Sequence, residues 1–416
     1  MKGLIMSESW LQSYIFLAFR IHKVVQRAYE CPFVEAYYGP ATWREQVEAE
    51  PELETSDLVR QAISLADALP VQGFTSNRVI FLGKHVKAIE TLCRKLSGEK
   101  FSLEEEARNC LDVHPIWTPE VQFEQAHALY DSMLPGTGSL VERLHVYRAG
   151  IDYPQDQLDT LTRWIDLAFA EARKRTSALV ELPEAETIDV QYLPEWEHDA
   201  AAYYQGNYRT QIVMNVAATA TYLSRLFDHK VCHEGYPGHH TDYILKEQHL
   251  YRQQGYVEHA ICLTLCPQRV IEEGIAQMAH EMIFSEGEAE QWLADHVYRA
   301  FQKEVDATVL LRLRQASQML GGVWDNAAML LDEGRPEQEV GQYFGTYMLL
   351  TADRAAQMVA FLKHPIWGRN LLTYASGQKL MRAWLQGPDK IVVFRRFLME
   401  QFTPSQLEGH TLPVQA

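Results

Sequence analysis

The stretch Val231-Cys232-His233-Glu234-Gly235-Tyr236-Pro237-Gly238-His239-His240 restricts the fold of this chain more than any other. It sets two imidazole positions around a carboxylate. A neutral imidazole is the commonest metal ligand, and a neighbouring carboxylate can serve as a general base. In a helical HExxH motif the two histidines stand four residues apart on one face. Here the fourth position after His233 is Pro237. On a regular helix His239 would be rotated by about 240° from His233, and His240 would return to the same face about 10 Å along the axis. Zinc–nitrogen bonds are about 2.1 Å long, so neither could share an ion with His233 on an unbroken helix. Proline removes a donor and clashes with the preceding turn, and glycine permits unusual backbone angles. The sequence therefore predicts a helix broken or bulged at residues 236–238, facing a third ligand.

Glu273 is the candidate for that ligand. It lies on a helix expected to start at Pro267, whose apolar face carries Val270, Ile271, Gly274, Ile275, Met278, Ala279 and Met282. The helical wheel groups Glu273 with Gln277 and His280 on the other side, where a ligand or a solvated residue would both sit. His280-Glu281 is a second His-Glu pair, but Phe284 occupies its ligand position, so it reads as structural. Cys232 beside His233 reads as a small buried hydrophobe rather than a nucleophile.

Helical periodicity dominates the chain. Trp10, Tyr14, Leu17, Ala18, Ile21 and Val24–Val25 recur at helical spacing. Ser102 to Glu105 forms a capping box, and Thr118-Pro119 reads as an N-cap followed by a proline at the first helical position. Helices are expected over 121–133, 155–177, 267–282, 292–320, 340–362, 370–385 and 391–402. The period changes before the His-Glu stretch, where Ile188, Val190 and Tyr192 alternate with polar residues. Runs 200–204 and 209–214 join through Gln205-Gly206-Asn207, which is suited to a hairpin. An edge strand there could hold an extended peptide by backbone hydrogen bonds, with Tyr203, Tyr204 and Arg209 lining a cleft. The fold class expected is mainly α with a small β-sheet. No linker divides the chain, so residues 1–416 read as a single domain. Its parts are N-terminal helices (1–180), a sheet with the metal-site helices (181–290) and C-terminal helices (291–416).

The motif His-Glu-Gly-Tyr-Pro-Gly-His-His, followed by Glu273-Gly274-Ile275-Ala276, resembles an uncharacterised bacterial family carrying HExxPGHH and EGWA motifs. That family belongs to the clan of HExxH-type zinc metallopeptidases with a Glu third ligand, the gluzincins. The resemblance extends to Tyr37-Tyr38-Gly39-Pro40, the strand ending at Asn215, and Tyr374-Ala375-Ser376-Gly377. It implies a zincin-like core within a helical array, with zinc on His233, His239 and Glu273. It also implies Glu234 as general base and Tyr374 as donor to a tetrahedral oxyanion. His239 is preferred to His240 because the position after it varies more in such motifs. Ile275 departs from the family's Trp. His280 stands where the family often has a second Glu, a place from which it could orient a ligand.

The expected function is zinc-dependent hydrolysis of amide bonds, with short peptides or small amides as substrates. The alternatives are a non-catalytic helical metal-binding protein and a metal-dependent hydrolase of non-peptide esters or amides. A net charge of −17, from 55 acidic against 38 basic residues, and the lack of a basic block argue against a nucleic-acid partner. The apolar run from Trp10 to Phe19 includes Gln12 and Ser13 and is too short to span a membrane. Six scattered cysteines without a CxxC pair fit reduced thiols, and the expected compartment is the cytoplasm.

Overall fold

The N-terminal helix, Lys2–Tyr29, buries Trp10, Tyr14, Leu17, Ala18, Ile21, Val24 and Val25, the stripe that its periodicity marks. It packs on helices Thr55–Ala68 and Ser76–Leu96 and forms a hydrophobic core with them. The computed structural model describes residues 2–196, 198–409 and 412. Over the described residues the fold is mainly α-helical with two small sheets. Among the described residues no helix is long and apolar enough to cross a membrane.

The described residues form five strands: β1 (Val34–Tyr37), β2 (Thr187–Leu193), β3 (Ala200–Gly206), β4 (Arg209–Asn215) and β5 (Ile261–Leu263). The larger sheet has the order β2-β4-β3, with β2 parallel and β3 antiparallel to β4. The β3–β4 turn passes through Gly206, Asn207 and Tyr208 at φ of 74°, 53° and 61°. β3 is an edge strand and packs beside the His-Glu segment. The pair β1–β5 has no counterpart in the sequence reading, because four and three residues carry too little alternation to register. Its pairing shifts register between Val34 and Ala36, and the Glu35 carboxylate there pairs with Arg269. Bulges commonly re-aim a side chain in this way.

The expected helices are present, but two of them are divided. The run from Trp292 to Leu320 is split into a helix from Glu288 that ends at Tyr298 and a second over Ala307–Met319. Gln302 takes a left-handed φ of 60° between them, and the Asp306 side chain caps the second by accepting from Thr308 N at 2.8 Å. The run from Val340 to Leu362 is likewise divided into Glu337–Tyr347 and Ala352–Leu362, with Leu349 at φ 57° and Thr351 as N-cap. In both cases the pieces turn their apolar faces to one core, so hydrophobic periodicity runs across the break and hides it. At residue 119 the expected cap is displaced by one: Pro119 is itself the N-cap, and Thr118 N donates to Asn326.

Two helices converge on the His-Glu segment from distant parts of the chain. Helix Pro267–Ile283, which carries Glu273, has proline at its first turn and is buried on nearly every side. Helix Leu372–Trp384 packs against it so closely that only glycines fit at the crossing. A Cβ on Gly274 would stand 2.7 Å from the Gly377 carbonyl oxygen, and one on Gly377 would stand 2.4 Å from that of Val270. Glu273 precedes Gly274, and Tyr374 lies one turn before Gly377, so this contact brings their helices together at the site. Gly377→Ala is expected to force the helices apart. The cost should be about 1–3 kcal/mol, the usual penalty for overpacking, read as a lower urea midpoint with weaker metal uptake. Gly150→Ala, which meets open space in helix Leu140–Ile151, should instead stabilise by about 0.5–1 kcal/mol.

Candidate metal centre

The chain from Phe227 to Gly235 is wound as a π-helix, a form that clusters at functional sites. Tyr236 then turns extended, the Tyr236–Pro237 peptide is cis, and a new helix runs over His239–Lys246. The break expected at residues 236–238 is present. Gly238 takes φ −78° and ψ −134°, outside the helical and extended ranges. Space demands glycine as well. Gly238 N donates to Cys232 O at 2.9 Å, and a Cβ would lie 2.0 Å from the His233 carbonyl oxygen and 2.2 Å from that of Cys232. The second helix therefore starts directly on the end of the first.

This fold-back brings the two imidazoles together with Glu273. His233 Nε2 lies 3.4 Å from Glu273 Oε2, and His239 Nε2 lies 3.6 Å from Glu273 Oε1. One donor atom from each residue lies within 4.8 Å of the other two. Ligand atoms around a tetrahedral ion with bonds of about 2.1 Å stand roughly 3.4 Å apart. The three residues are only 4, 5 and 4% exposed, and Glu273 Oε2 has no hydrogen-bond partner among the described residues. Two imidazoles and an orphaned carboxylate oxygen in a buried triangle of this size fit a metal ion.

The rings are held by packing. Nδ1 of His233 and Nδ1 of His239 make no hydrogen bond among the described residues. His233 stacks on Tyr374, with centroids 6.2 Å apart and planes at 7°, and His239 stacks on Tyr243 at 5.8 Å and 11°. The two imidazoles meet edge to face at 4.8 Å. Burial alone would push the His239 imidazole down, but the Glu273 carboxylate outweighs it and raises His239 to about 9. Burial opposes ionisation of Glu273 too, yet His239 and His233 hold its carboxyl well below the usual carboxylate range. In a metal-free chain a proton thus occupies the place that a cation would take.

The other expected site residues are close by. Glu234 is 7% exposed and makes no hydrogen bond or ion pair among the described residues. Its charge acts on both His239 and Tyr374. Tyr374 is half-buried, and its phenol is pushed well up, first by the Glu273 charge and then by burial and Glu234. The adjacent His240 points away from the centre. Its Nδ1 lies 2.7 Å from Thr210 Oγ1 and its Nε2 2.9 Å from Glu186 Oε2. Tyr236 OH and Arg173 Nε donate to the same carboxylate at 2.5 and 2.6 Å. His280 makes no orienting bond among the described residues: both ring nitrogens are buried without a hydrogen bond there, and the ring stacks on Phe284. Tyr204 is buried with its hydroxyl on Glu247, while Tyr203 and Arg209 are exposed. All six cysteines are free and buried, and burial drives the Cys232 thiol well up, which removes it as a nucleophile.

Tyr243, Glu186 and Lys230 were not anticipated as neighbours of this centre. Tyr243 stands four residues after His239, a spacing that could have revealed it. Glu186 precedes β2 and carries no local signal.

No protein-family model and no curated protein matches this sequence. Among solved structures, the chain resembles "The crystal structure of the putative lipoprotein from Colwellia psychrerythraea" with a TM-score of 0.50 at 13% identity. That likeness is one of fold; it covers 88% of this chain, which spans 64% of the length of the other. "The Structure of CHT" aligns over 98% of this chain and 91% of that one, with a TM-score of 0.35 and 11% identity.

The Glu186 network generates a test of pH dependence. Burial opposes ionisation of Glu186, but its bonds with His240, Tyr236 and Arg173 lower it from 4.5 to about 2. A carboxylate held low contributes stability above its unfolded-state value, and the contribution fades as pH falls through its folded value. The urea midpoint of the wild type should therefore decline between pH of about 4.5 and about 2, and Glu186→Gln should lack that part of the decline. At neutral pH His239→Ala should lose the metal, whereas Glu186→Gln should keep it.

Proposed function

We propose that this protein is a zinc-dependent hydrolase of amide bonds that acts on short peptides, in the manner of the HExxPGHH metallopeptidases it resembles. One observation carries the reading: two imidazoles and a carboxylate converge at metal-ligand spacing beside a buried carboxylate, Glu234, that is committed to no other partner. A purely structural ion needs no such base. Nitrogen and oxygen donors of this kind suit zinc among the borderline metals. His233, His239 and Glu273 would hold it. When bound, such an ion lowers the pKa of water to roughly 7 and polarises a carbonyl.

The remaining work falls to side chains. Glu234 takes a proton from the attacking water as its oxygen bonds to the carbonyl carbon. The C–N bond then breaks, and Glu234 returns that proton to the departing nitrogen, giving a carboxylic acid and an amine. The Tyr374 phenol, held protonated by the two carboxylates near it, donates to the oxyanion that forms meanwhile. β3 offers a strand edge beside the His-Glu helix on which an extended peptide can pair. The near-complete burial of the ligands excludes bulk water and strengthens each of these interactions.

The deciding experiment combines metal analysis with a peptide-library assay. The purified chain should hold one equivalent of zinc, cleave short peptides, and lose cleavage on chelation. Glu234→Gln should retain the metal while turnover falls by roughly 10²–10⁴-fold, the usual contribution of a general base. Full metal occupancy without cleavage by either protein would favour a structural site. Cleavage unaffected by Glu234→Gln would sink the proposed proton path.

A further inference from the structure

The His-Glu helix carries a second charged feature, one turn before its ligands. Lys230 is 1% exposed, yet its ammonium makes no hydrogen bond among the described residues. Its closest carboxylate is Asp199 Oδ2 at 3.8 Å, half-exposed at the residue before β3. A turn further back, Arg225 has a buried Nε that is also unbonded, with Asp228 Oδ2 at 3.8 Å. On the same helix, the His229 ring lies 6.0 Å from that of His233. The Arg225 charge first, and burial second, keep His229 neutral.

A buried charge without hydrogen bonds is expensive, so chains seldom keep one without a partner. Asp199, at 3.8 Å, and Glu234 attract the Lys230 ammonium, which opposes the effect of burial. The other flank of the centre is different. There Arg269, whose Nε is unbonded among the described residues, pairs with two carboxylates, Glu35 and Glu272 (the latter at 3.2 Å), and donates to Tyr243 OH. The buried ammonium of Lys230, ion-paired at 3.8 Å but without a hydrogen bond, lies between the head of the edge strand and the general base.

Resting on the peptidase reading above, we propose that Lys230, with Arg225 behind it, receives the C-terminal carboxylate of the peptide substrate. One helical turn, roughly 5 Å, separates Lys230 from Glu234, and an extended chain advances about 3.3 Å per residue. The carboxylate therefore lies one or two residues beyond the bond that is cut. The protein acts at the C-terminal end of short peptides, releasing an amino acid or a dipeptide.

The test measures binding separately from turnover. N-acetyl-Ala-Ala with a free C-terminus, its C-terminal amide, and N-acetyl-Ala-Asp amide are titrated into the metal-loaded full chain by calorimetry. The free acid should bind at least roughly tenfold more tightly than its amide, as a charge-assisted hydrogen bond permits. Lys230→Met should bring that ratio near one with metal content unchanged, and Lys230→Arg should retain it. Should Lys230→Met not fold, the wild-type and Lys230→Arg ratios decide. Equal affinities for acid and amide would overturn the proposal, and so would tight binding of the Asp amide in place of the free acid. Cleavage of acids and amides alike would leave the peptidase reading standing and sink this one. An acid preference in binding without any cleavage would do the reverse.

Discussion

The contact on which this structure turns is the approach of Gly238 to the carbonyls of Cys232 and His233. A regular helix would carry His239 to the far side of the axis. The π-wound turn, the extended Tyr236 and the restart on top of the previous helix end bring it back within reach of the same carboxylate. The solution works only if residue 238 has no side chain, because the space is taken by backbone oxygen. A similar rule operates at the crossing of Gly274 and Gly377, where two helices touch backbone to backbone. The centre is thus set by two places where chains approach more closely than any other residue allows.

The restart also gives consecutive histidines opposite surroundings. His239 faces Glu273, and the carboxylate dominates over burial and raises it to about 9. His240 faces Glu186 as well, yet burial dominates there and lowers it. Glu186 divides its charge among His240, Tyr236 and Arg173, whereas Glu273 faces two imidazoles. A carboxylate already satisfied by three donors has little left for a metal. One with an orphaned oxygen is available.

How far the site could be read from the sequence follows from the range of the forces involved. The broken helix, the His-Glu pair and the hairpin at Gly206-Asn207 are local effects of residue type and spacing, and all stand where the residues indicate. The Asp306 and Thr351 caps were legible in principle, but an apolar period running across each break masked them. For Glu273 the helical wheel was neutral, since polarity on the outer side suits both a ligand and a solvated residue. It required knowledge that the helix is buried all round. His240 against His239 was undecidable from spacing, because the choice depends on where Glu186 and Thr210 arrive from outside the segment. Tyr374 came from resemblance alone; its stacking on His233 depends on a helix crossing that no local pattern encodes.

The elements that meet here come from separate stretches of chain, and this links metal binding to folding. His233 and His239 share one segment, Glu273 lies on the next long helix, and Tyr374 is brought by a third. A buried carboxylate facing two imidazoles is stable only with a positive charge between them. A metal-free chain can supply that charge by protonating His239, but a proton binds one lone pair and leaves the other donors of the triangle unsatisfied. A dication would engage all three at once and join the elements that carry them, so its binding free energy would become stability of the folded state. Because the Nδ1 atoms of both rings are unbonded among the described residues, that gain would not be spread through a hydrogen-bond network. It rests on the stacked Tyr374 and Tyr243 rings, which keep the imidazoles turned toward Glu273.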